Sequence, residues 1–329
     1  MNTRSSFLML LGCLACLPLY AADSNVPPLI DLGAEAKKQA EKQKKIAVSQ
    51  PKPAEASQPK AQADDADKAK VAAKPEAAKP APEPAETKPV AWSYFGDDGP
   101  QNWGQLSTAY ATCKAGKNQS PINFKRDDAV GTTSLNGFDV YYRKSILKMI
   151  NDGHVLKVEV PLGSYIMLNG QRYELMEYEF HTPSEHQIDG FSYPMEMQLV
   201  HKDGNGDYAV VSILFQEGAE NEALAAFLDR LPKQLNKLDV HDKVLVHPAK
   251  AFFPVDKRFY KYSGSMTQPP CDEGVYWMVF KQPVEASAAQ LQQMKEYLGT
   301  NARPVQPLNA RTPLKSWPDR QAQESFYLY

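Results

Sequence analysis

The sequence predicts a mainly β domain with a few peripheral helices, confined to the C-terminal two thirds of a 329-residue chain. Three observations carry this. Short apolar runs alternate with polar residues at a period of two. Gly, Pro, Asn and Asp punctuate them at short intervals. Between Tyr20 and Trp92 the chain has no Phe, Trp or Tyr, so the aromatic core-builders belong almost entirely to the C-terminal part. In order, 145–160 reads as strand, turn at Asn151-Asp152-Gly153, then the alternating strand VLKVEV. Segments 172–181, 195–201 and 208–215 alternate again, and 275–280 is a further strand. Helical spacing is limited to 220–231 and 286–298.

The formal charge of −2 offers no electrostatic case for nucleic-acid binding. After the N-terminus no apolar run approaches the ~18 residues of a membrane span, so the mature chain is expected to have none. Residues 1–22 read as a secretory signal, with Arg4, a short apolar stretch and small residues at Ala21-Ala22. Lipoprotein processing at Cys13, in Leu-Leu-Gly-Cys, is the competing reading. Cys13 and Cys16 fall in the signal, which leaves Cys113 and Cys271 of the four cysteines as an expected disulfide of an exported, periplasmic or envelope protein. Residues 23–91, rich in Ala, Lys, Pro and Glu, cannot bury enough apolar surface to offset their ordering entropy and are expected to be a disordered linker. They are either a tether in the envelope or a solubilising tail. Residues 92–329 are the expected domain.

Several segments then combine. Trp92-Ser93-Tyr94, Gly99-Pro100 and Trp103 precede Cys113 and Gly116-Lys117-Asn118-Gln119-Ser120-Pro121-Ile122. Next along the chain come Asn151-Asp152-Gly153-His154, Phe180-His181-Thr182-Pro183-Ser184-Glu185-His186 and Gly264-Ser265-Met266-Thr267-Gln268-Pro269-Pro270-Cys271, and then Arg303-Pro304-Val305-Gln306-Pro307-Leu308-Asn309. This ordered set resembles the α-class carbonic anhydrases of bacterial envelopes, through essentially all of 92–329. The resemblance implies a central, twisted, mostly antiparallel sheet with the active site in a cone. It also implies Zn²⁺ on three histidines, two from an H-x-H on one strand and one from its neighbour, activating a water toward CO₂.

By that resemblance the metal positions hold Glu179, His181 and Gln198, so two of the three imidazoles are replaced. A glutamine oxygen is a weak zinc donor, and a glutamate charge opposes acidification of a bound water. Of the other histidines, His186 and His201 match scaffold positions, His154 matches the proton shuttle, and His241 and His247 flank a turn at the surface. Glu177 stands where the resemblance gives a glutamine supporting the first ligand, Glu196 matches the acid that orients the third, and Glu196 is placed to accept a hydrogen bond from the Gln198 amide. Without a cation, Glu177, Glu179 and Glu196 are expected to raise one another's pKa. Glu185 and Thr267 match the pair that orients the hydroxide, with Gln268 next to them. Val200, Val210, Met266, Val275 and Trp277 match the apolar wall for CO₂. The resulting reading is an exported, catalytically silent carbonic anhydrase-like domain without a cofactor, binding or scaffolding an envelope protein or cell-wall component. The alternative is a zinc enzyme of CO₂ hydration using the Glu/His/Gln site.

Overall fold

The computed structural model describes residues 90–319 except 133, 134 and 136; the signal and linker readings, and Cys13, lie outside the described residues. Period-two alternation is written out as strands: β1 (Phe138–Tyr141), β2 (Ser145–Asn151), β3 (Leu156–Glu159), β4 (Tyr165–Leu168), β5 (Gln171–His181), β6 (Met195–Lys202) and β7 (Tyr208–Glu217). After helix α1 (Glu222–Leu228) come β8 (Asp239–Val246), helix α2 (Pro248–Phe252), β9 (Phe259–Ser265) and β10 (Glu273–Phe280), then helix α3 (Ala288–Leu298). Together with shorter strands they form a 13-stranded sheet in which the long strands run β8-β2-β3-β5-β6-β7-β10-β9. Neighbours are antiparallel through β6 and β7, whereas β7 and β10 run parallel, so the sheet is mixed at its centre.

Strands β6 and β7 are buried on both faces, which is why MEMQLVHK and YAVVSILFQE carry so few charges. One face packs Phe180, Met197, Leu199 and Ile213 against Leu224 and Phe227 of α1 and Leu291 and Met294 of α3. The other packs Val200, Val210, Leu214, Tyr262, Val275 and Trp277. Each such large side chain contributes roughly 1.5–3 kcal/mol on burial. Between these apolar layers, the second face of β5 and β6 carries polar residues. That break in an otherwise apolar interior positions the candidate site.

The expected helices are shorter than their spacing suggested. Helix α1 starts at an Asn221 side-chain cap on Leu224 N and stops at Asp229. Helix α3 begins two residues late, because Val284–Ala286 is claimed as a strand by β7. Its start is then set by a capping box of Ser287 and Gln290. His241 and His247 do not flank a turn: His241 lies within β8, and His247 caps α2 by accepting from Lys250 N at 3.4 Å. Cys113 and Cys271 form the disulfide, across a sequence separation of 158. In the chain-entropy model a loop of that size stabilises the fold by about 5 kcal/mol. Among the described residues no helix is long and apolar enough to cross a membrane.

Candidate functional site

Register builds the site. Gln198 on β6 pairs directly with Glu179 on β5, and Glu196 pairs with His181. Directly paired residues share a face, as do residues two apart on one strand, so Glu177, Glu179, His181, Glu196 and Gln198 all point the same way. On the opposite side of β5, Lys157 of β3 pairs with Glu179. Glu179, His181 and Gln198 are 3%, 0% and 2% exposed. A charged cluster is thereby held in a nearly dry place.

Lys157 is the residue that reading the chain segment by segment missed. Its ammonium lies 3.1 Å from Glu179 Oε1, 3.5 Å from Glu177 Oε1 and 3.6 Å from Asp152 Oδ2. Burial alone would lower its pKa, but Glu179, Glu177 and Asp152 together raise it well above the lysine range. The reciprocal effect corrects the expectation that the three glutamates raise one another. For Glu179, burial pushes up, yet His181 and Lys157 pull its pKa below the ordinary value. Glu177 alone behaves as expected, raised by burial and by Glu179 against the pull of Lys157. Glu196 goes the other way. Burial opposes its ionisation, but the His186 ring and amide draw it down to about 2.

Each position is held by a second layer. Gln268 Nε2 donates to Glu179 Oε2 at 2.8 Å. The Gln198 amide donates to Glu185 Oε2 at 2.7 Å and to Glu196 Oε1 at 3.0 Å. Two carboxylate acceptors fix which end of that amide is nitrogen. Glu185 Oε1 accepts from Arg303 N at 2.9 Å. Glu196 also accepts from His186 N and Nδ1 and from the Ser212 hydroxyl. His181 Nδ1 donates to the Asn301 carbonyl at 2.8 Å, and its Nε2, 3.8 Å from Glu179 Oε2, has no hydrogen-bond partner. Burial lowers the His181 pKa, but Glu185 and Glu179 outweigh it and hold it at about 9.

The remaining expected residues are gathered more loosely. Thr267 is buried and precedes Gln268. Val200, Val210, Val275 and Trp277 pack as one apolar cluster with Met266 against it. His154 is engaged: Nε2 donates to the Trp92 carbonyl at 2.9 Å, and its ring stacks on Trp92 with centroids 3.8 Å apart. Among the described residues no group of three His, Cys, Asp or Glu side chains is arranged to hold a metal ion. Asn301 and Arg303 have no local sequence signal for their roles here, since their partners lie more than a hundred residues away.

The family model for eukaryotic-type carbonic anhydrase matches residues 98–316. The chain belongs to that family. A carbonic anhydrase of Nostoc sp. is 41% identical over 230 residues, covering 69% of this chain and 87% of the relative. The carbonic anhydrase of Thermovibrio ammonificans, solved with the inhibitor sulfanilamide, superposes with a TM-score of 0.66 at 41% identity, over 69% of this chain and all of that one. A dioscorin solved with ascorbate superposes at 0.64 and 31% identity, over 70% of this chain and 99% of that one. The twisted, mainly β architecture of this carbonic anhydrase domain is thus the family's fold.

His201 is a separate buried histidine whose protonation is fixed by its neighbours. Its Nδ1 donates to the Ala209 carbonyl at 3.1 Å, so Nε2, 2.7 Å from the Tyr142 hydroxyl, accepts. Burial holds the pKa down to about 4 against an ordinary 6.5. A depressed histidine is protonated first in the unfolded chain, so its contribution is complete above pH 6.5 and is lost as pH falls from 6.5 toward 4. The expected loss reaches up to about 3 kcal/mol at pH 4. Urea midpoints across pH 4–8 should show this acid limb, and His201→Gln should flatten it. An unchanged limb in that variant would assign the effect elsewhere.

Proposed function

We propose that this carbonic anhydrase domain is catalytically silent and acts as a binding or scaffolding module in the cell envelope. The observation that carries the reading is Lys157, whose ammonium lies among Glu179, Glu177 and Asp152 and supplies the site's positive charge from within the chain. Zinc catalysis needs three strong donors and an open fourth position. At the positions that the resemblance gives to the metal, Glu179 is neutralised by Lys157 and bonded by Gln268. Gln198 turns its nitrogen toward two carboxylates, and a nitrogen that donates is no ligand. Glu185 and Glu179 draw His181 toward its protonated form against the opposing effect of burial, which competes with metal binding at its ring. This donor set does not fit zinc.

What remains is a β scaffold with a buried polar cluster at its centre. The dioscorin solved with ascorbate supports the idea that this fold can hold a ligand other than CO₂. The partner class we favour is an envelope protein or cell-wall component, in keeping with the export signal expected of residues 1–22.

One atom favours the other reading, a zinc-dependent carbonic anhydrase using the Glu/His/Gln site. His181 Nε2 is buried without a partner, as a ligand nitrogen would be before its metal arrives. Metal analysis of protein purified without chelator separates the two. The expected result is zinc far below one equivalent and CO₂ hydration at background. One equivalent of zinc with rapid bicarbonate formation would establish the hydratase and end the silent reading.

A further inference from the structure

The sheet face away from the Glu179–His181–Gln198 cluster carries a cavity of about 470 Å³. Its walls come from β1, β9 and β10 and from the segment after α2: Phe138, Val140, Phe253, Phe259 and Phe280. The rings already satisfy one another edge to face, Phe138 against Phe259 at 5.5 Å and Phe253 against Phe280 at 4.9 Å. The space they leave is therefore lined by settled aromatic surface. Cavities of this size and character bury small ligands.

The charges at this cavity are of one sign. Lys250, Lys257 and His247 line it, and no Asp or Glu does. The Lys257 ammonium is anchored by donating to the Pro254 carbonyl at 2.6 Å and lies 5.1 Å from the centre of the Phe253 ring. An ammonium has three donors, so this arrangement leaves two for a ligand. Partial desolvation without a carboxylate partner lowers its pKa, which an incoming anion would reverse. The acid nearest in sequence, Asp256, is engaged by the Arg258 guanidinium.

We propose that this cavity is a binding site for a monocarboxylate with an apolar body, its chain against the phenylalanine walls and its carboxylate on Lys257 and Lys250. The apolar volume supplies burial, and the lysines supply charge-assisted hydrogen bonds that an uncharged or cationic amphiphile cannot use. This site is independent of the cluster on the other face and of the function proposed for it.

Decanoate below its micelle concentration is the probe, followed by calorimetry and by ¹⁵N–¹H shifts of the chain. The expected result is one saturable site with shifts centred on Phe253 and Phe280, while acetate and decylamine do not saturate. Lys257→Met, an exposed position that leaves the fold intact, should weaken decanoate by about tenfold, the loss of one charge-assisted hydrogen bond. Lys257→Met with Lys250→Met should weaken it further, and Val140→Trp, which fills the cavity, should abolish it while the far-UV spectrum is unchanged. Failure of decanoate to saturate would overturn the proposal. So would equal binding of decylamine, or undiminished binding by the double lysine variant.

Discussion

The double variant Glu179→His plus Gln198→His should take up one zinc per chain and hydrate CO₂ at least about 10³-fold faster than the parent, because a three-imidazole site restores the metal-bound hydroxide. The register makes this expectation concrete. Residues 179 and 181 share a face of β5, and residue 198 is the direct cross-strand neighbour of 179. Three imidazoles would therefore converge without any movement of the backbone. The carboxylates that orient such ligands are already present. Glu196 Oε1 stands 3.0 Å from the atom that the residue-198 side chain now presents, ready to accept from a ring N–H. The Asn301 carbonyl already fixes the His181 tautomer with Nε2 left over. The substitution also releases Lys157 from its closest partner while leaving it Glu177 and Asp152. Zinc content by mass spectrometry and stopped-flow CO₂ hydration read the result. A folded variant that still excludes zinc would show that the site has lost more than two ligands.

That experiment is available because so much of the site could be read from the chain. Strands β5, β6 and β7 betray themselves by alternation, and their buried face could be counted off residue by residue. Strands β1, β4, β8 and β9 could not. Asp239–Val246 lies at the sheet edge with a register shift between His241 and Leu245, and half of it faces solvent, so its period is broken. Phe259–Ser265 ends in the Gly264-Ser265 pair, whose motif character obscured its strand. Lys157 was lost for a deeper reason. In VLKVEV a lysine between apolar neighbours reads as the solvent side of an edge. Only the pairing of β3 with β5, twenty-two residues on, turns that side inward and sets it against Glu179. Local pattern gives the face, and non-local pairing decides whether that face is wet.

Lys157→Met tests that inward face directly and should destabilise the domain by about 3 kcal/mol, because removing one partner of a buried ion pair strands the other charge. The estimate sits at the low end for such losses, since Glu179 keeps its hydrogen bond from Gln268 and the nearby His181. At the size of this domain the loss corresponds to a fall in melting temperature of about 6–12 °C. The cause can be isolated by a cycle. Glu179→Gln in the Lys157→Met background removes the stranded charge and should recover about half or more of the loss, whereas the two changes would add if they acted independently. Glu177 provides the control. It shares Lys157 but is already shifted toward its neutral form by burial and by Glu179, so Glu177→Gln in the same background should recover less. Chemical denaturation of the four variants at pH 7 gives every value needed. Strict additivity of Lys157→Met and Glu179→Gln would mean that the ammonium is only a neighbour of the carboxylate and not its counter-ion, and the case for an internal cation in place of zinc would fall with it.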